Sequence, residues 1–372
     1  MNAVQLPLNI AAPPSCLTGL IVITEIEIQN YKSIDQLRLE LGRVNVFIGE
    51  NGAGKSNILE AIALAAAAAA DKLDNEFLAS RGIRVTKPEW MRAGFDIANA
   101  SEPILLWARM DEEAVGWEVS NDNRPYAKWT AYPSLSKIKG KLSTSDLDAM
   151  FEPVCVQLAD FVIYSPENTA LRTFQREGQI EPLGINGEGL LKLLSVLAEE
   201  NFGVLNKIKE RMRLLGWFED FQVRAGEADG RLDIIDRHLT DDKQFFDHRS
   251  ANEGFFFLLF YFALFSTDLT PKFFAIDNID ASLNPKLCEK LTSELVQLSK
   301  ENDKQVILTT HNPAVLDGLN LDDDEQRLFV ISRDVDGATQ VRRIAKPRTS
   351  GELVRLSELF LRGALGGLPK VL

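Results

Sequence analysis

Between the apolar run Val44–Ile48 and a second apolar stretch at residues 57–62 stand eight residues, Gly49-Glu50-Asn51-Gly52-Ala53-Gly54-Lys55-Ser56. They restrict this chain more than any other feature. The pattern predicts a strand, a tight glycine loop and a helix. In such a loop successive backbone N–H groups converge on an anion, and the helix N-terminus adds its positive dipole end. Lys55 then reaches the β- and γ-phosphates of a nucleoside triphosphate, and Ser56 holds Mg²⁺. The candidate nucleotide-binding residues are Gly49, Asn51, Gly52, Ala53, Gly54, Lys55, Ser56 and Asn57.

A chain of 372 residues, 45% of them hydrophobic, suits one large or two ordinary domains with a sizeable core. Cys16, Cys155 and Cys288 are far apart and offer neither metal-ligand spacing nor a disulfide framework, which fits a reducing, cytoplasmic compartment. Lys and Arg are absent before Lys32, so the apolar start lacks the positive region of a secretory signal. The greasiest runs, 61–70 and 255–265, fall short of the ~20 residues that cross a bilayer. No membrane partner is expected. A net charge of −13 argues against indiscriminate coating of nucleic acid. It leaves room for a local basic groove at Lys137, Lys139 and Lys141, or at Arg342, Arg343, Lys346 and Arg348, although each run reads first as solvated surface charge.

Along the chain, 20–28 and 35–41 alternate apolar and polar residues and predict two antiparallel strands leading into the loop strand. An alanine-rich helix is expected over 56–72. Residues 74–102 carry no clear pattern and read as an insertion. Strands follow at 103–110, 115–120 and 127–131, with Trp107, Trp117 and Trp129 packing on them. A lysine-rich linker at 133–144 leads to a helix at 145–158 and a strand at 161–164. Two more helices are expected, one reaching Glu200 and one over 206–215, before 231–239 returns to alternation and re-enters the sheet.

The last third holds a second constellation. Residues 272–277 form an apolar strand ending in Asp277, the second anchor of a Mg²⁺ site in P-loop proteins. Asn278-Ile279-Asp280-Ala281-Ser282-Leu283-Asn284-Pro285 follows, then a helix to Ser299. A buried strand at 306–309 ends in Thr310-His311-Asn312-Pro313, where His311 can reach a γ-phosphate. Asn252 and Gly254 stand just before an aromatic helix, where a helix N-terminus could make a second phosphate site. One chain cannot use both sites on one ATP. His238 and His248 have no such context, and Asp322-Asp323-Asp324-Glu325 reads as a solvated turn.

This order of motifs resembles the ABC-type ATPases of the RecF, SMC and OLD group, and most of all the OLD-like AAA ATPases of bacterial anti-phage systems. The likeness rests on 49–57, 274–285 and 309–313. It is weaker at 252–254, where the group usually has Ser in place of Asn252. The closing stretch 361–369 is also similar to that group. The resemblance implies an α/β ABC-type P-loop ATPase head, a mixed sheet flanked by helices, with an inserted helical lobe. Its parts would be a tail at 1–20, the first part of the head at 21–132, the lobe at 133–230 and the second part of the head at 231–372. It implies catalytic roles for Lys55, Asp277, Asn278, Asp280 and His311, and Mg²⁺ held by Ser56 and Asp277. It also implies a homodimer or higher assembly in which Asn252 and Gly254 complete the partner's ATP site. Two departures stand out. Asn278 occupies the usual place of a catalytic Glu, and losing a general base is worth about 100- to 10,000-fold, so slow hydrolysis is expected unless Asp280 substitutes. The 61 residues after His311 are too few for the Toprim nuclease of OLD proteins. A dimeric sensor or clamp in anti-phage defence, acting with a separate effector, is the expectation; a RecF-like repair or replication ATPase binding DNA is the alternative.

Overall fold

The computed structural model, described over residues 22–110, 113–134, 144–173, 183–224, 231–239, 245–345 and 355–368, is built on three sheets. In chain order its first elements are β1 (Ile23–Tyr31), β2 (Ile34–Glu40), β3 (Val44–Ile48), α1 (Lys55–Ala69), α2 (Asn75–Ser80), β4 (Ile104–Met110), β5 (Glu113–Ser120) and β6 (Thr130–Pro133). Next come α3 (Thr144–Ala159), β7 (Ile163–Tyr164), α4 (Asn168–Leu171), α5 (Leu190–Glu200), α6 (Phe202–Met212), β8 (Phe218–Arg224), β9 (Arg231–Asp236) and β10 (Phe246–Asp247). The remainder is α7 (Glu253–Ser266), β11 (Phe273–Ile276), α8 (Pro285–Glu301), β12 (Gln305–Thr310), β13 (Gln326–Arg333), β14 (Thr339–Ile344) and α9 (Leu356–Leu361).

The central sheet runs β14-β13-β3-β12-β11-β7, and only the edge strand β14 is antiparallel to its neighbour. Its strands are apolar at nearly every position because helices or strands cover both faces. Alternation sorts the side chains. Val44, Val46, Ile48, Phe274, Ile276, Val306 and Leu308 enter one core, while Phe47, Phe273, Ala275, Ile307, Phe329 and Ile331 enter the other.

On that second face lies α1, roofed by the five-stranded antiparallel sheet β2-β1-β4-β5-β6. Thirteen of its fifteen residues are buried. Alanine serves two ends here, as the best helix former and as a side chain small enough for two sheets to approach one helix. On the first face α7 is buried along residues 255–266, packed by α4, α5, α6 and α8. A helix apolar on every side belongs in an interior. No helix among the described residues is long and apolar enough to cross a membrane.

Several expectations are corrected. Residues 231–239 do not re-enter the central sheet: β9 lies between β10 and β8 in a separate three-stranded sheet. Alternation shows that one face of a strand is buried, and Leu232 and Ile234 bury theirs in the core shared with Phe218 and Phe221; it does not name the neighbouring strand. Within residues 144–164, α3 lies on α1 and β5 and β7 pairs with β11, while Val162 and Tyr164 share a core with Leu183, Leu190 and Leu194. The patternless 74–102 holds α2 and two short 3₁₀ turns. It is anchored by the buried Arg92, which donates to the carbonyls of Pro88, Glu102 and Asn121. Trp107, Trp117 and Trp129 are buried. Cys155 and Cys288 are free and buried, and Cys16, the tail and the lysine-rich linker residues 135–143 lie outside the described residues.

Because α1 is confined on two sides, Ala66→Leu is expected to destabilise the protein by about 1–3 kcal/mol through overpacking. A lowered midpoint in denaturant titration, with unchanged slope, is the check.

Candidate functional site

Parallel strands β3, β11 and β12 end at the same edge of the sheet, so the residues that follow each of them converge. Ile48 stands opposite Thr310 on β12 and Val330 on β13. Ligand sites of open α/β sheets form at such carboxyl ends.

The glycine loop is shaped by close packing. A methyl group on Gly49 would lie 2.1 Å from the Ile331 carbonyl oxygen. Gly54 has φ +107°, and a methyl there would lie 2.1 Å from Thr339 Oγ1. Both positions exclude side chains before any ligand is considered. Bracing comes from the β13–β14 hairpin: Arg333 Nε donates to the Gly52 carbonyl at 2.7 Å, and Thr339 Oγ1 to that of Ala53 at 3.1 Å. Ser33, in the β1–β2 turn, hydrogen-bonds Thr339 Oγ1 at 2.7 Å and accepts from Asn57 Nδ2 at 2.7 Å. Asn57 therefore points at that turn, where Arg84 Nη2 donates to its Oδ1 at 3.1 Å. Asn51 and Gly52 are exposed. The first intrahelical bond of α1 runs from the Ile58 amide to Gly54 at 3.0 Å, so the preceding amides face off the helix end.

Lys55 is buried and its Nζ donates to the carbonyls of Gly49 at 2.8 Å and Glu50 at 3.1 Å. Burial pulls its pKa down to about 8 against the opposing fields of Asp277, Asp280 and Glu50. Asp277 accepts from Ser56 Oγ at 3.0 Å on one oxygen and from Thr309 Oγ1 on the other. A hydroxyl and a carboxylate at a helix N-terminus are hard oxygen donors of the kind Mg²⁺ uses beside phosphates, and among the described residues no cluster of three His, Cys, Asp or Glu competes with them.

Asp280 Oδ1 accepts from Thr310 Oγ1 at 2.6 Å. Asn278 is exposed, its amide donates to Thr309 Oγ1 at 2.9 Å, and its φ is +58°, a region Asn tolerates better than most residues. His311 is exposed at the end of β12. Burial of its ring and the Lys55 ammonium lower its pKa, with Asp280, Asp277 and the Gly49 backbone acting the other way.

Asn252 and Gly254 sit at the N-terminus of α7. The Asn252 Oδ1 caps that helix by accepting from the Phe255 amide at 2.9 Å. A methyl on Gly254 would meet Leu283, Ser282 and Asn252 at 3.6 Å, an ordinary contact, so packing within the chain does not demand glycine there. Among the described residues no hydrogen bond joins this turn to residues 49–56. It is tied instead to the loop after Asp277, since Glu253 accepts from Ser282 Oγ at 2.8 Å and from Asn168 Nδ2 at 2.9 Å. Arg172, which the sequence reading passed over, clamps the preceding segment by donating to the carbonyls of His248 at 3.0 Å, Arg249 at 3.1 Å and Ala251 at 2.6 Å. No local pattern marks an arginine whose carbonyl acceptors are 76 or more positions away.

Of the basic runs, Arg342 donates to the Leu365 carbonyl and Arg343 pairs with Asp324, while Lys137, Lys139, Lys141, Lys346 and Arg348 lie outside the described residues. The acidic turn is partnered: Asp323 by Lys300, Asp324 by Arg327 and Arg343, Glu325 by Arg43.

Comparison with known proteins gives a consistent picture. The family described as "AAA ATPase domain" matches residues 22–153, and "AAA domain, putative AbiEii toxin, Type IV TA system" matches 172–317. The DNA replication and repair protein RecF of Bacillus mycoides (strain KBAB4) is 44% identical over 55 residues, and that of Bacillus thuringiensis (strain Al Hakam) 42% over 55. Each match covers 14% of this chain and only 15% of the relative's length. Among solved structures, an SMC head bound to the C-winged helix domain of ScpA aligns with a TM-score of 0.57 at 14% identity, over 87% of this chain and 98% of that one. An Smc head with an extended coiled coil, bound to the C-terminal domain of ScpA derived from Pyrococcus furiosus, aligns at 0.53 and 13% identity, over 87% and 96%. The chain therefore has the fold of an SMC-type head, with AAA-type domain sequence matched over residues 22–153 and 172–317.

Proposed function

We propose that this chain binds ATP with Mg²⁺ at residues 49–57 and hydrolyses it slowly as a dimeric switch. The observation that carries the reading is the Ser56–Asp277 hydrogen bond, which brings the loop helix and the end of β11 together at the amides of the α1 N-terminus. Those amides and Lys55 would hold the phosphates. Ser56 and Asp277 would hold Mg²⁺, which neutralises phosphate charge when bound. The lowered pKa of His311 favours its neutral form, which would offer the γ-phosphate a hydrogen bond without a charge. Asp280, held by Thr310, would substitute for the missing glutamate. The Asn252–Gly254 turn, exposed at Asn252 and Glu253, would complete the site of a second copy. The toxin–antitoxin wording of the second family description supports a defence setting, in which a separate effector is our expectation from the resemblance alone; the short RecF matches support the alternative of a DNA repair ATPase.

Lys55→Ala is expected to abolish ATP binding in a titration with the folded variant, and unchanged affinity would sink the site. The wild type carries a further signature. Bound polyphosphate raises the pKa of an ammonium that stands at about 8 in the free protein. Binding near pH 8 to 9 should therefore take up protons, and affinity should fall as pH rises through that range. Calorimetry in buffers of different ionisation enthalpy reads this directly.

Asn278→Glu should accelerate single-turnover hydrolysis while lowering stability by about 1 kcal/mol, because glutamate fits φ +58° less well than asparagine. Fast wild-type turnover that survives Asp280→Asn would exclude both the slow switch and the substitute base. For assembly, Lys55→Ala and Gly254→Asp chains should each be inactive alone and regain activity when mixed, each heterodimer retaining one intact composite site. Failure to do so despite proven subunit exchange would remove the dimer reading.

A further inference from the structure

Residues 356–368 contribute no polar side chain to the loop end of the site, yet they are fastened to it at several points. The first is Asp317, in the 3₁₀ turn Pro313–Gly318 that follows His311. Its carboxylate is nearly buried and accepts from the Ser357 amide at 2.9 Å and from Ser357 Oγ at 2.6 Å. Arg355, the residue at the N-cap of α9, makes no side-chain capping hydrogen bond and pairs with Asp317 at 3.7 Å, so Asp317 caps α9 from outside. The second is apolar: Phe360 and Leu365 are buried in the core that holds Leu316, Leu328 and Val330. The third is the hydrogen bond from Arg342, on β14, to the Leu365 carbonyl.

The fourth reaches the phosphate loop. Gly363, Gly366 and Gly367 have φ of +74°, +70° and +78°, a left-handed path open to glycine at little cost. It lays the backbone against β13 so closely that a methyl on Gly367 would come 2.7 Å from Val330 Cγ1 and 3.6 Å from Gly49 Cα. Gly49 is thus packed against Ile331, with Gly367 near enough that a methyl on Gly367 would touch the Gly49 Cα, and the Gly49 carbonyl is one of the two that Lys55 Nζ bonds.

We propose that residues 356–368 are a positioning strap for the nucleotide site. Gly367 sets where Gly49 begins the loop, and the Ser357–Asp317 tie sets the turn beyond His311, so one segment holds two phosphate-facing strand ends in register. This rests on the nucleotide reading above.

The test uses the full chain with Mg²⁺ and a non-hydrolysable ATP analogue, comparing wild type, Gly367→Ala, Ser357→Ala and the Lys55→Ala control. Affinity, melting temperature and amide exchange over residues 49–55 are measured on each. Gly367→Ala should weaken binding by about tenfold, the scale of one charge-assisted hydrogen bond placed badly, and speed exchange over 49–55. Ser357→Ala should act in the same direction by less. If both variants lower only the melting temperature, or change nothing, while Lys55→Ala loses binding, the strap is overturned and the nucleotide site stands. If wild type fails to bind the analogue, the site reading falls and the strap with it. Should Gly367→Ala not fold, Ser357→Ala decides, since unchanged affinity and unchanged loop exchange in that variant overturn the strap.

Discussion

A helix with almost no surface of its own governs this architecture. Because α1 is pressed between the central sheet and the five-stranded roof, its axis and its N-terminal turn have one position. The glycine loop inherits that position. Two sheets can close on one helix only if the side chains between them are small, so the run of alanines and the existence of the roof are one constraint. A larger residue in the run would push on a strand that ends beside the glycine loop.

Asp277 extends the constraint sideways. With one oxygen on Ser56 and the other on Thr309, it ties α1, the end of β11 and the end of β12 into a single unit. Thr309 also accepts from the Asn278 amide, and Thr310 holds Asp280. Hydroxyls on β12 therefore set the two carboxylates and the amide of Asn278 between them, while the neighbouring His311 stays exposed.

What could be read in advance follows from how local each signal is. The glycine loop, the strand before Asp277 and the His311 strand end are contiguous runs, and the parallel sheet brings all three to one edge. β9 defeated the sequence reading because alternation reports burial and not pairing, and β13 and β14 were not anticipated at all. The braces of the loop were invisible for a different reason. Ser33 and Thr339 meet across 306 positions, Arg333 and Gly52 across 281, and in each case an ordinary serine, threonine or arginine is made important only by the fold. Arg172 belongs to the same class.

Those braces have a thermodynamic consequence. Every carbonyl of the loop from Gly49 to Ala53, apart from that of Asn51, accepts a hydrogen bond from Lys55, Arg333 or Thr339 or from the Ala53 amide. These bonds are all supplied by the chain itself, so they constrain the loop as the chain folds and reduce the ordering left to be done at each encounter. An anion arriving there meets a braced surface. Its binding heat then reports desolvation and charge, with little contribution from loop ordering.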